Sequence, residues 1–131
     1  MCFDKDWYNR THDVTKSNRV VYKVFRRKGD KFHSIQYQTH KEYSLGDTMY
    51  PDVKITDYEG LDRLSKLTYG VIHTFTSLDS ISQAWFDCVF NKHDGFVIVK
   101  CIIPKNTVYW DNGNEIACMR LKLKEVICKP K

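Results

Sequence analysis

The stretch LDSISQAWFDCVF, Leu78 to Phe90, decides how the fold of this chain is read. Its apolar residues Leu78, Ile81, Ala84, Trp85, Cys88 and Val89 recur at intervals that line one side of an α-helix. On that reading an amphipathic helix covers about 78–90 and NKHDG stops it, with Gly95 as terminator. The residues just before it fit a helix start. Thr76-Ser77-Leu78-Asp79 matches the hydroxyl-x-x-acid capping pattern, in which a side-chain oxygen accepts an orphaned amide.

Outward from this helix the chain reads as strands. YGVIHTF makes a brief strand before it, and FVIVKCII after it is a nearly continuous apolar run, the pattern of a central strand covered on both faces. RVVYKVFRR is rich in β-branched and aromatic residues, with Val20, Tyr22 and Val24 on one face and Val21, Lys23 and Phe25 on the other. Lys28-Gly29-Asp30 then turns it into KFHSIQY, a β-hairpin. TVYW and the alternating CMRLKLKEVI supply further strands, separated by the turn Asp111-Asn112-Gly113-Asn114. Leu61, Leu64 and Leu67 predict a short helix near 60–67. The expected fold class is therefore α+β. A mainly antiparallel, bent sheet of about six or seven strands carries the main amphipathic helix on one face. Residues 1–18 form a polar leader that either docks or frays, and 19–131 form a single domain.

Composition narrows the function classes. The chain has 131 residues and 42% hydrophobic content, enough for one globular core. Its net charge of +5 permits an acidic partner such as nucleic acid, a nucleotide or an acidic protein face without requiring one. The five cysteines stand at wide spacings without a C-x-x-C pair, and no His pair has metal-binding spacing, so no metal site is expected. Free thiols in apolar surroundings point to a reducing, cytoplasmic compartment. No apolar run has the length of a membrane span, so no membrane partner is expected.

Candidate site residues cluster around HTFTS, His73 to Ser77. His73 lies on the strand, and Thr76 and Ser77 lie on the turn that follows it. A structural reading makes the turn a helix cap and His73 a hydrogen-bonded core residue; a catalytic reading makes them polar clamps. Aromatic and basic residues interleave elsewhere. Tyr22, Lys23, Arg26, His33 and Trp110 are the candidate binding residues, able to stack a ring and neutralise a phosphate, although core packing also accounts for such aromatics.

Two resemblances bear on function. HTFTS resembles the strand end of ADP-ribosyltransferases, which carry a basic residue on an early strand and a Glu near a later one. Thr76 and Ser77 match its last two positions, Lys23 or His33 would stand for the early basic residue, and Glu115 for the catalytic Glu. Phe75 stands where that family has its first Ser. The resemblance implies NAD as co-substrate. Over a longer span, Val20 to Ile127, the chain is similar to small uncharacterised single-domain proteins of bacteriophages and gut bacteria. That similarity implies a viral or mobile-element origin and a single compact domain, and no activity; a phage-encoded protein would work in the host cytosol, and outside the NAD reading no cofactor is expected.

Three functions follow as expectations. The first is a phage-type accessory protein that binds a host protein or nucleic-acid complex stoichiometrically, for example to inhibit host defence. The second is an ADP-ribosyltransferase-like enzyme with Glu115, Ser77, Thr76 and His73 in its site. The third is a sponge for a nucleotide-type small molecule.

Overall fold

The computed structural model of the chain describes residues 12–34, 41–51, 71–81 and 96–128. Nine strands run through them: β1 (Asp13–Val14), β2 (Arg19–Lys28), β3 (Lys31–Ser34), β4 (Thr48–Met49), β5 (Ile72–Phe75), β6 (Phe96–Ile103), β7 (Val108–Asp111), β8 (Glu115–Cys118) and β9 (Leu121–Cys128). They form one sheet in the order β1-β7-β8-β5-β2-β6-β9-β4, with β3 paired to β2 off that path. Every pairing is antiparallel.

The longest ladder joins β2 to β6, from Arg19↔Ile103 to Arg26↔Phe96. Since β6 occupies one edge of β2, β5 and β3 share the other, β5 at Tyr22↔Phe75 and β3 from Phe25↔Ser34 to Lys28↔Lys31. The β2–β3 hairpin closes with the two residues Gly29 and Asp30. Of these only Gly29 has positive φ, +64°. A positive φ at the first central position alone is the type II′ pattern, which glycine adopts without a Cβ clash. The register of β6 against β9 shifts twice, at Ile98/Val99 and at Lys100/Cys101. Each extra residue bends and twists the strand pair locally, which curves this half of the sheet.

The core lies on one face. Val21 and Phe25 of β2, Val97, Val99, Cys101 and Ile103 of β6, and Leu121 and Leu123 of β9 all turn inward. Phe32, Tyr43, Met49, Ile72, Ile116 and Cys118 complete this cluster. The opposite face is also buried in part. Val24, Ile98, Val71, His73, Phe75, Trp110 and Ala117 are all at most 7% exposed, and Val71, Trp110 and Ala117 pack together. Val97, Ile98 and Val99 are therefore buried in succession, but the cover on both faces expected of β6 holds only there, since Phe96, Lys100 and Ile102 on the outward side are partly exposed.

The α+β expectation is overturned. Among the described residues every regular element is a strand and none is a helix, so the fold is of β type. The start of the expected helix shows the difference. Leu78, which the helical stripe would turn inward, is 47% exposed. Here the backbone makes tight i to i+3 turns, Ser80 N to Ser77 O and Ile81 N to Leu78 O, each at 3.2 Å. Residues 82–90 of that expected helix, and the whole expected helix at 60–67, lie outside the described residues. Nine strands replace the expected six or seven because β1 and β4 have only two residues each, too few to show a period-two alternation.

The described end of the leader belongs to the sheet. β1 pairs with β7 through Asp13↔Tyr109 and Val14↔Val108. Thr15 then locks onto the β6–β7 turn. Its amide donates to Thr107 O at 2.9 Å and its carbonyl accepts from Asn106 N at 2.8 Å. Its hydroxyl donates to Pro104 O at 2.6 Å and accepts from Thr107 N at 2.9 Å. Residues 1–11 of the leader lie outside the described residues.

Candidate functional site

The residues of the HTFTS reading meet at the junction of β5 with β8. The ladder pairs His73↔Ala117 and Phe75↔Glu115, so His73, Phe75 and Glu115 share the sheet face opposite the main core. Thr76 continues past the strand end and its hydroxyl lies 2.9 Å from Gly113 O and 3.2 Å from Asn114 O. Its amide donates to Asn114 O at 3.0 Å. The Thr76 and Ser77 hydroxyls each reach Ser80 Oγ at 2.9 Å. No helix follows for either hydroxyl to cap among the described residues: Ser77 Oγ closes a turn by accepting the Ser80 amide at 3.2 Å, while Thr76 ties β5 to the β7–β8 turn. The β5–β8 pairing thus brings Thr76 next to the Asn114-Glu115 step, and both hydroxyls are already engaged within the protein.

Lys23 turns away from the other binding candidates. It lies on the core face between Val21 and Phe25 and is only 7% exposed. Nζ donates to His73 O at 2.9 Å and lies 5.7 Å from the centre of the Phe25 ring. Burial strips water from the ammonium and lowers its pKa to about 8, against an upward pull from the nearby thiols of Cys101 and Cys118. The same burial raises both thiols. Cys118 is pushed up to about 12, opposed by a hydrogen bond from the Arg120 backbone and by Lys23, and Cys101 is pushed well above the usual thiol range. These are protonated, free core thiols that pack as small apolar groups.

Tyr22, Arg26 and His33 lie on the outward face. Arg26 is exposed and pairs across the ladders with His33 on one side and Phe96 on the other. Tyr22 is half-buried and stands opposite Lys100. Lys28 and Lys31 extend this face at the hairpin, and Lys122 extends it on β9 opposite Ile102. Two acids stand near this face, Glu125 at 3.6 Å from Lys100 and Glu42 at 3.6 Å from His33. Trp110 is apart from them. It is 7% exposed, packs with Val71 and Ala117, and meets the His12 ring edge-on at 5.9 Å.

One arrangement escaped the sequence reading. Arg19 forms an ion pair with Asp111 at 2.9 Å and lays its guanidinium over the Tyr109 ring, 5.6 Å from its centre. β5 and β8 separate β2 from β7 in the sheet order, so only the curl of the sheet brings these residues together. A groove of about 370 Å³ opens beside them, lined by the Asp13–Arg19 segment and Tyr109. Its local sequence, TKSNR, reads as an unremarkable polar loop.

No group of three or more His, Cys, Asp or Glu side chains among the described residues is arranged to hold a metal ion. No helix among them is long and apolar enough to cross a membrane. The fold and its surfaces define a small antiparallel β-type protein with a basic, aromatic outer face. Comparison of the chain with protein-family models, curated proteins and solved structures finds no match.

Proposed function

We propose that the chain is a stoichiometric binding protein, of the accessory kind its phage-like pattern implies, and that it acts on a host nucleic-acid complex. The outward cationic face carries this reading. Arg26, Lys28, Lys31, Lys100 and Lys122 share it, with Phe96 and Tyr22 alternating against the cations across the β2–β6 ladder. Arg26, Lys28 and Lys122 are exposed and form no ion pair among the described residues. Cations in such a row neutralise successive phosphates, and an aromatic ring beside them stacks a base of any sequence.

The test is titration of the protein with a labelled single-stranded oligonucleotide at several salt concentrations. Each phosphate contact contributes about −0.7 to the slope of log K against log salt. Replacing Arg26 and Lys28 by Glu should therefore reduce the slope by about 1.4 in magnitude. Absence of binding, or a slope that the double variant leaves unchanged, removes the reading. Recovery of an acidic host protein without nucleic acid would move the partner to that class.

A second reading, an ADP-ribosyltransferase-like enzyme using NAD, is supported by one specific observation. Glu115 is in register with Phe75, one strand from Thr76 and Ser77. Labelled NAD and host extract, compared between the native protein and Glu115→Gln, decide it. Equal or absent labelling in both eliminates the enzyme.

A further inference from the structure

We propose that the groove beside β1 is a binding site for a nucleotide-sized phosphate monoester, separate from the outward cationic face. The volume of about 370 Å³ falls at the lower end of small-ligand pockets, which span about 300–1,000 Å³. Asp13, Lys16, Ser17, Asn18, Arg19 and Tyr109 supply its polar wall.

Arg19 is the organising group. Asp111 Oδ2 holds its Nη2 at 2.9 Å, and the Tyr109 ring lies against the guanidinium. This orients the guanidinium plane while leaving Nε and Nη1 without a hydrogen-bond partner among the described residues. A fixed guanidinium of this kind binds in two ways at once. Its free N–H groups donate to phosphate oxygens and its flat surface, like the Tyr109 ring, stacks a base. Lys16 is exposed at the same groove, forms no ion pair among the described residues, and adds a second cation for a doubly charged phosphate.

Of the two acids near the groove, Asp111 has both oxygens engaged. Asp13 accepts the Val14 amide through Oδ1 at 2.8 Å but keeps its negative charge at the rim, which Lys16 offsets. Asp111 accepts from Arg19 through one oxygen and from the Gly113 amide, at 2.7 Å, through the other. The wall is also rigid. Thr15 is fastened to the β6–β7 turn, and Asn18 Oδ1 accepts the Lys105 amide at 3.0 Å. A preformed wall loses little freedom on binding.

The experiment is calorimetric titration of the full chain with adenosine monophosphate, adenosine, inorganic phosphate and an oligonucleotide bearing a 5′-phosphate. Adenosine monophosphate or the phosphorylated strand end should bind at least about tenfold more tightly than adenosine or inorganic phosphate. Which of the two binds identifies the source of the phosphate. Lys16→Ala should weaken that binding about tenfold without altering the fold, since Lys16 is exposed and forms no hydrogen bond or ion pair among the described residues. Tyr109→Leu should weaken the nucleotide and spare inorganic phosphate. Absence of heat with all four ligands overturns the proposal. So does equal binding of the nucleotide and inorganic phosphate, or an affinity that Lys16→Ala leaves intact.

Discussion

Replacing Lys23 with Met should stabilise this protein at neutral pH, and the gain should fade in alkali. Lys23 is 7% exposed and its ammonium has one hydrogen bond to a protein acceptor, His73 O at 2.9 Å. Burial lowers its pKa from an ordinary 10.5 to about 8, a difference worth about 3 kcal/mol against the folded state while the amine is charged. Methionine is close to lysine in length, removes that desolvation, and forfeits a hydrogen bond worth about 1 kcal/mol. The expected net gain at pH 7 is about 1–2 kcal/mol, or about 4–8 °C in Tm. The pH dependence is the sharper readout. Below about pH 8 the native protein carries the full penalty. Between there and 10.5 its folded form releases the proton before its unfolded form does, so its stability rises towards that of the variant. Cys101 and Cys118 titrate in both proteins, and their effect largely cancels in the difference. Urea unfolding of both proteins at pH 7 and pH 9.5 measures it. A variant less stable at pH 7, or one with the same advantage at both pH values, would refute the reasoning.

Three further predictions test the joints of the sheet. Thr15→Val keeps the side-chain shape but strips Pro104 O and the Thr107 amide of a partner, so it should lose about 1–3 kcal/mol in chemical denaturation. Thr76→Ala should lower stability by about 1 kcal/mol, and Thr76→Ser should restore most of it, because the hydroxyl contact with Gly113 O is what matters. Unfolding curves of the pair check this. Cys101 and Cys118 should resist a thiol reagent at pH 8 in the native protein and react only on unfolding, which peptide mapping of the labelled sites reads directly.

Local patterns predicted the hairpin well. β2, Gly29-Asp30 and β3 need only neighbouring residues, a period-two alternation and one glycine with positive φ. The apolar run of β6 likewise marked a strand, but not one buried on both faces: on the outward side only Ile98 is buried, while Phe96, Lys100 and Ile102 stay partly exposed. The α+β reading failed at Leu78 because a helical spacing measures only how apolar residues would line up if the helix formed. It carries no information about where the sheet lies, and Leu78 is exposed. Of the candidate site residues, Thr76 approaches the Asn114-Glu115 step only through the β5–β8 pairing, which no local pattern fixes. Lys23 was the misleading one. Its alternation with Val21 and Phe25 already put it on their face, yet a charge invites a surface reading.

The sequence by itself determined the strands of β2, β3, β6 and β9, the turns at Gly29-Asp30 and at Asn112-Gly113, and the basic balance of the chain. These depend on side-chain period, backbone sterics at glycine, and residue counts. Only the tertiary structure decided that Lys23 is buried beside two thiols, that Thr15 joins the leader to the β6–β7 turn, and that Arg19 meets Tyr109 and Asp111. Each of these contacts joins residues far apart in the chain, and the curl of the sheet brings them together. The curl follows from strand order and from the two register shifts between β6 and β9.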